Sequence, residues 1–423
     1  MRAKLGLLAA VSLVVAVALV SGSTLVYFLA YLVAATVVGA HLLARRGLDG
    51  LEAGSWLDRR HATVGDFLAV TYTLRSRARL PKPWLEVHSP STLPLAIPGR
   101  VISLAPRTER TWAARVPLPR RGQYRVDPLV VRTGDPLGLF ESVASVGPGA
   151  TILVYPQVAA LPAWHLPPAA IEAASARGRQ GSHVTPVVTS VRPYTPGDAF
   201  NRIHWRSSAR HQELQVKEFD IEPSADLWVF LDLHRGVHVG TGETATVESS
   251  VRVAAALAGH ALADGRGVGM EAVGVRRAVV AADRGVRQRH KVLGLLAVAE
   301  AEGSTPLVEM LLESTGRARR GMVVMVVTPS LDPSWVRPLA AMRGQGVAPV
   351  ACLIDPLAHL ARGAAGRDQE ALRPSAREPL ERAMRALLHS LAEHDVHAHV
   401  VGPDRPLGEQ LVAGRGTSGW RAA

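Results

Sequence analysis

The run Ala225-Asp226-Leu227-Trp228-Val229-Phe230-Leu231-Asp232 closes an apolar stretch on a carboxylate. That pattern predicts a buried parallel strand whose C-terminal end opens on a site. His234 and His238 follow in a Gly-rich loop, and His394, His397 and His399 cluster near the end of the chain. No Cys or Glu joins either group at ligand spacing, so both read as surface histidines rather than a metal centre. No Gly-x-Ser-x-Gly elbow or other Ser/Cys–His signature points to nucleophilic catalysis. No Gly-x4-Gly-Lys-Ser/Thr loop is present to cradle the phosphates of ATP. The single cysteine, Cys352, sits in the apolar run Val350 to Ile354. It reads as a buried, inert thiol, and one cysteine excludes an intrachain disulfide.

The densest chemistry lies from Arg192 to Arg210. Pro196-Gly197 forms a turn, and Asp198 is placed to cap a helix that carries Arg202, Arg206 and Arg210 along one face, with Ile203 and Trp205 elsewhere. Between Arg192 and Glu222 five basic residues meet five acidic ones. Such neutrality argues against a phosphate-backbone site, which needs uncompensated positive charge. A buried or interdomain ion-pair network is the favoured reading, with a ligand or partner surface as its rival.

The pattern Arg192-x-Tyr194-x-Pro196-Gly197-Asp198, then Arg202-Ile203-x-Trp205, Ala209-Arg210 and Leu214-x-Val216-x-Glu218, resembles the signature of the bacterial family called domain of unknown function 58. Arg121-Gly122-x-Tyr124, the run Asp135-Pro136-Leu137-Gly138-Leu139-Phe140 and a two-span N-terminus match that family as well. The resemblance implies a von Willebrand A-like C-terminal domain. Such domains often hold Mg²⁺ through an Asp-x-Ser-x-Ser loop, a Thr on a second loop and an Asp on a third, oxygen donors suited to a hard cation. Here the first loop is Asp232-x-His234-x-Gly236, without either hydroxyl. Thr305 matches the second loop. Thr328-Pro329-Ser330 stands where the third-loop Asp is expected, and Asp332 comes late. The expected metal site is therefore degenerate, and no metal or cofactor is implied. The resemblance also implies partners: a MoxR-type AAA+ ATPase and a membrane transglutaminase-like protein, in envelope assembly.

Several elements must position these residues. From Leu5 to Leu43 the chain has no Asp, Glu, Lys or Arg. That is about twice the ~20 residues one span needs. Residues 1–46 are thus expected to form a transmembrane hairpin turning at Ser21-Gly22-Ser23-Thr24. Arg2, Lys4, Arg45 and Arg46 flank its outer ends, which places both termini and the soluble domains in the cytoplasm beneath the cell membrane. A cleaved signal peptide ending near Ser23 is the alternative; it would leave a lone anchor starting at the cleavage site.

Short alternating strands over residues 51–160, including 66–74, 84–87, 111–116 and 129–131, predict a small β-sandwich or open barrel. Residues 161–191 read as a linker and 192–222 as the signature segment. Residues 223–405 alternate strand and helix, which predicts a doubly wound α/β domain, and 406–423 form a tail. The fold class expected is a two-helix membrane anchor followed by an α+β multidomain portion.

The chain carries net charge +12, but its arginines are scattered and no nucleic-acid motif accompanies them. The function expected is a non-enzymatic adaptor at the bilayer whose α/β domain binds the ATPase at its strand-end loops, through Asp232, His234, Gly236 and Thr305. The rival expectations are a metal-dependent hydrolase using that same face and a charge-driven nucleic-acid binder.

Overall fold

The computed structural model describes residues 12–17, 19–21, 23–161, 164, 188–195, 200, 203–219, 226–317, 319–364 and 374–412. They form two compact units that divide between Tyr155 and Pro156.

The first unit begins with helix α1 (Thr24–Arg46), long and apolar enough to cross a membrane. At 1.5 Å per residue it spans roughly 34 Å. Its large apolar side chains, among them Leu25, Phe28, Leu29 and Leu32, face outward, while only Ala30, Ala40 and Ala44 are buried. Residues 12–17 and 19–21 are also helical, but the start of the first expected span and Gly22 of its turn lie outside the described residues. Among the described residues there is thus one membrane-length helix rather than two.

Ten strands follow: β1 (Leu51–Leu57), β2 (His61–Thr63), β3 (Phe67–Ser76), β4 (Lys82–His88), β5 (Arg100–Leu104), β6 (Glu109–Pro117), β7 (Gly122–Val126), β8 (Leu129–Gly134), β9 (Glu141–Val146) and β10 (Ala150–Tyr155). They make three sheets, ordered β1-β3-β6, β2-β10-β7 and β5-β4-β8-β9. Every pair is antiparallel except β2 with β10. Alternation along the strands fixes which face is buried. On β3 it buries Leu68, Val70, Tyr72 and Leu74, which share one core with Leu85, Val87, Leu129, Val131, Ile152 and Val154.

Lys82 ties α1 to this core. It is 4% exposed, and its ammonium donates to the carbonyls of Gly47 (2.7 Å) and Arg46 (3.4 Å), which the helix end leaves without helical partners. Burial pushes its pKa down, partly offset by Asp49. Lys82→Met should destabilise the full chain by about 1–3 kcal/mol, since a charge-assisted bond is lost at a buried helix terminus. Denaturant unfolding in detergent measures this, and an unchanged midpoint would remove Lys82 as the cap.

In the second unit β11 (Val188–Pro193) pairs antiparallel with β12 (Gln215–Phe219), with the short helix α2 (Trp205–His211) between them. A six-stranded sheet follows, built from β13 (Leu227–Asp232), β14 (Val268–Val273), β15 (Arg277–Asp283), β16 (Val323–Thr328), β17 (Ala348–Ile354) and β18 (His397–Val401). Its order is β15-β14-β13-β16-β17-β18, parallel except for the edge strand β15. Every residue of β13, β14 and β16 is buried, as near-continuous apolar runs covered on both faces must be.

On one face Trp228, Phe230, Val324, Val326, Ala351 and Leu353 pack with residues of α5 (Leu307–Ser314), α6 (Val336–Ala341) and α8 (Pro374–Glu393). On the other lies α3 (Thr246–Ala263), beside α4 (Gly285–Ala297). The sequence predicts one apolar stripe on α3, yet Val253, Ala256 and Leu257 are buried along with Val251, Ala254, Ala255 and Ala258. The extra cover comes from the segment after Tyr155. Val158 lies where a Cβ at Gly259 would be, and the buried Trp164 meets His260 edge-on at 5.5 Å. The first residues of the expected linker are therefore packed. Residues 165–187 lie outside the described set; of residues 361–379, whose Ala, Arg and Gly content predicts a loose loop, 361–364 and 374–379 are helical and 365–373 lie outside that set. The remaining helices are α7 (Pro356–Ala364) and α9 (Leu407–Val412).

Candidate functional site

The strand order reverses at β13: the chain moves to β14 and β15 on one side and returns to β16 on the other. The crevice beyond the C-terminal ends of β13 and β16 is where doubly wound sheets bind ligands. Register sets the last residue of β13, Asp232, just beyond the pairing of Leu231 with Val327, and Thr328 ends β16. Their side chains meet there. The Thr328 hydroxyl donates to Asp232 Oδ2 at 2.6 Å, and the His234 amide donates to Oδ1 at 3.0 Å. Asp232 is 2% exposed. Its burial pushes the carboxyl pKa up, against the lowering pull of the Thr328 and His234 bonds and of the nearby imidazoles.

His238 completes the cluster. Its Nε2 lies 2.9 Å from the Asp232 carbonyl, which only accepts, so Nε2 carries a proton. Nδ1 lies 3.1 Å from the Thr246 hydroxyl at the start of α3. Burial lowers its pKa, opposed by Asp232. The second loop is brought in by a parallel bridge of His234 with Gly303, where the Arg235 amide donates to the Gly303 carbonyl at 2.9 Å and the Gly303 amide to the Leu233 carbonyl at 3.0 Å. A Cβ on Gly303 would stand 2.4 Å from the Val273 carbonyl oxygen, so only glycine fits between these strands.

The structure thus brings Asp232, His234, Gly236 and the loop of Thr305 to one end of the sheet. Thr305 is half-buried, and its hydroxyl makes no hydrogen bond among the described residues. Asp332 turns to its own chain: its carboxylate caps the turn Pro333–Trp335, accepting from the Ser334 amide at 3.0 Å and hydroxyl at 2.6 Å. Among the described residues no three His, Cys, Asp or Glu side chains converge to hold a metal. Chemically, this end of the sheet is a carboxyl group held by protein donors on both oxygens.

Of the other histidines, His397 is exposed on β18 while His399 is 7% exposed, their rings 5.9 Å apart. His399 is therefore a core residue, which corrects its reading as a surface histidine. The sequence also gave no sign that Ser249 on α3 and His359 on α7 meet, since 110 residues separate them. Ser249 Oγ lies 2.7 Å from Nε2, while Nδ1 is 2.7 Å from the Asp355 carbonyl. That carbonyl fixes the proton on Nδ1, so Nε2 accepts from the hydroxyl. His359 is wholly buried and Ser249 is 5% exposed, so the pair clips α7 to α3.

The signature segment departs from its expected form. The described helix begins at Trp205, just after Ile203 bridges to Val216 in strand fashion, and Asp198, the expected cap, lies outside the described residues. His204 is the cap, its Nδ1 accepting from the Ser207 amide at 3.2 Å. Pro196, Gly197, Asp198 and Arg202 lie outside the described residues, and of Arg192 only the backbone is described. Ile203, Val216, Ser208 and Gln215 are buried; the Ser208 hydroxyl accepts from the Gln215 amide at 2.8 Å.

Arg206 and Arg210 are exposed and make no ion pair among the described residues, so the expected buried network is absent at these two positions. Trp205 is 65% and Phe200 71% exposed, and Tyr194 and Phe200 lie 6.1 Å apart between ring centroids.

The fold and its strand-end carboxylate define an α/β domain joined to a β-rich unit and one apolar helix. Residues 190–357 match the family described as "Protein of unknown function DUF58". The chain is 29% identical over 312 residues to "Uncharacterized protein YeaD" of Bacillus subtilis (strain 168), covering 71% of this chain and 75% of that one. Both findings support a place in the DUF58 family.

Among solved structures, the CARDB domain of PF1109 from Pyrococcus furiosus aligns over 25% of this chain and 94% of its own, at 14% identity and TM-score 0.20. Proximal thread matrix protein 1 from the mussel byssus aligns over 33% of this chain and 41% of its own, at 13% identity and TM-score 0.26. Likenesses at those scores carry no functional argument.

Proposed function

We propose that the chain is a membrane-anchored, non-enzymatic adaptor whose second unit binds another protein. The observation that carries this reading is the exposure of Trp205 and Phe200 beside Arg206 and Arg210, in the segment that bears the family signature. Tryptophan and arginine held outward on a short, capped element are the side chains that dominate protein interfaces. The strand order with an antiparallel edge, and an aspartate at the end of the first strand, support a von Willebrand A-like domain whose metal loop has lost its function. Asp232 then braces a rim on which His234, Arg235 and Gly236 are presented. The family resemblance supplies the partner's class, a MoxR-type AAA+ ATPase, with a role in the cell envelope. Arg45 and Arg46 after α1 support a cytoplasmic orientation, in which the unit would meet ATP.

Co-purification from native membranes tests this, comparing the natural chain with Trp205→Ala/Arg206→Glu. Losing one interface anchor of this kind costs about 2 kcal/mol, roughly 30-fold in affinity. Recovery of an AAA+ ATPase that falls on substitution, at unchanged melting temperature, is expected. Recovery indifferent to the substitutions would refute the surface, and no recovery at all would refute the partner.

A further inference from the structure

We propose that the turn Asp135 to Phe140 inserts its tip into the membrane interface, so that the β-rich unit lies against the bilayer as well as hanging from it. The inference rests on α1 spanning that bilayer.

The Phe140 ring meets the His41 ring edge-on, with centroids 4.9 Å apart. His41 lies five residues before Arg46, which ends the helix. At 1.5 Å per residue that is about 7.5 Å along the axis. Arg45 and Arg46 belong at headgroup level, so a ring packed on His41 sits deeper than they do. It lies at the boundary between headgroups and hydrocarbon, where the exposed Leu42 and Leu43 also fall.

The turn is built to hold its tip out. Asp135 is 7% exposed; its Oδ2 accepts from the Leu137 amide at 2.9 Å and its Oδ1 from the Phe140 amide at 2.5 Å. The Gly138 amide returns to the Asp135 carbonyl at 3.0 Å, and Gly138 takes φ +69, a left-handed conformation suited to glycine. On this fixed scaffold Leu137 is 57% exposed. A leucine presented by a preorganised turn gains nothing in water, but is stabilised on entering hydrocarbon.

The same end of the unit carries further interfacial groups. Thr133, two residues before the turn, has its methyl where a Cβ on Gly47 would be, and its hydroxyl donates to the Trp84 carbonyl at 2.8 Å. Trp84 is 42% exposed. An amphipathic ring of that kind suits the headgroup region. Phe140 against His41 and Thr133 against Gly47 set this turn beside the last turns of α1, whose outer surface is apolar, which is why the occupant assigned is the bilayer itself.

The experiment uses the full chain in bilayer discs of mixed zwitterionic and anionic lipid. The native thiol of Cys352 is fully buried and its pKa is pushed up to about 12 by burial, so it stays unlabelled. Single spin labels are placed at Leu137→Cys, at Pro136→Cys on the same tip, and at Ala35→Cys in mid-helix. Phe67→Cys is the distal control, because Phe67 lies beyond Val70, which pairs with Leu57 at the end of β1 far from the helix.

Relaxation by oxygen, which partitions into lipid, is compared with relaxation by a water-soluble nickel chelate. Positions 136 and 137 should favour oxygen over the chelate several-fold more than position 67, and less than position 35. Labels at 136 and 137 as wet as 67, with 35 in lipid, would overturn the insertion and spare the anchor. A wet label at 35 would overturn both.

Discussion

Arg277→Met should destabilise the second unit by about 3 kcal/mol, because it strips a buried carboxylate of half its support. Glu271 sits in the middle of β14 with no exposed surface. Oε1 accepts from Arg277 Nε at 2.6 Å and from the Ser314 hydroxyl at 2.9 Å, and Oε2 from Arg317 Nη1 at 2.5 Å. Arg277 also reaches Glu313 and the Ser314 hydroxyl, so the edge strand, α5 and the central sheet are joined through one charge.

Removing the cation leaves that charge in a medium that cannot solvate it. Removing both members should not. Glu271→Leu/Arg277→Met is expected to unfold within about 1 kcal/mol of the natural chain, since an apolar pair of similar volume avoids the desolvation cost. Denaturant midpoints of the full chain in detergent give both numbers. A single substitution that proves harmless would mean that water already reaches Glu271. A double variant as weak as the single one would mean that the arginine acts by packing.

Nothing in the local sequence announced this network, and the reason is general. Glu271 reads as one polar residue in the apolar run Met270 to Val275, while its partners lie 6, 43 and 46 residues away. What is legible is what repeats locally. Leu68, Val70, Tyr72 and Leu74 show the period of a half-buried strand, and Met322 to Val327 the solid apolar run of a central one.

The strand ending on Asp232 belonged to that legible part, and the carboxylate stands where expected. Its donors did not, since Thr328 meets it only through the register of β13 with β16. In the signature segment, equal numbers of acids and bases gave the impression of pairing. Composition counts charges without placing them, and Arg206 and Arg210 face solvent. The observed cap is His204, because the bridge of Ile203 with Val216 holds the chain out of the helix just before it. Lys82 shows the same limit from the other side: a lysine in a strand looks like a surface residue until a helix end arrives beside it.

Acid should weaken the second unit, and His399 should carry much of the effect. Burial, helped by the neighbouring His397, pushes its pKa down to about 4 from an ordinary 6.5. Below pH 6.5 the unfolded chain binds a proton here that the folded chain refuses, so stability falls with pH until the folded imidazole also titrates near 4. For this one group the loss between pH 7 and pH 5 is about 2 kcal/mol.

Burial moves His238 and His359 in the same direction, while it raises the Asp232 carboxyl, which works the other way. The whole-protein slope therefore mixes several groups, and a difference isolates one of them. His399→Leu replaces a ring whose buried Nδ1 has no hydrogen-bond partner, so the variant should fold at pH 7 with little loss. Its melting temperature should then fall less than that of the natural chain as the buffer moves from pH 7 to pH 5. Parallel declines in the two chains would show that His399 takes up its proton in the folded state as readily as in the unfolded one, and that the buried edge of β18 is open to water.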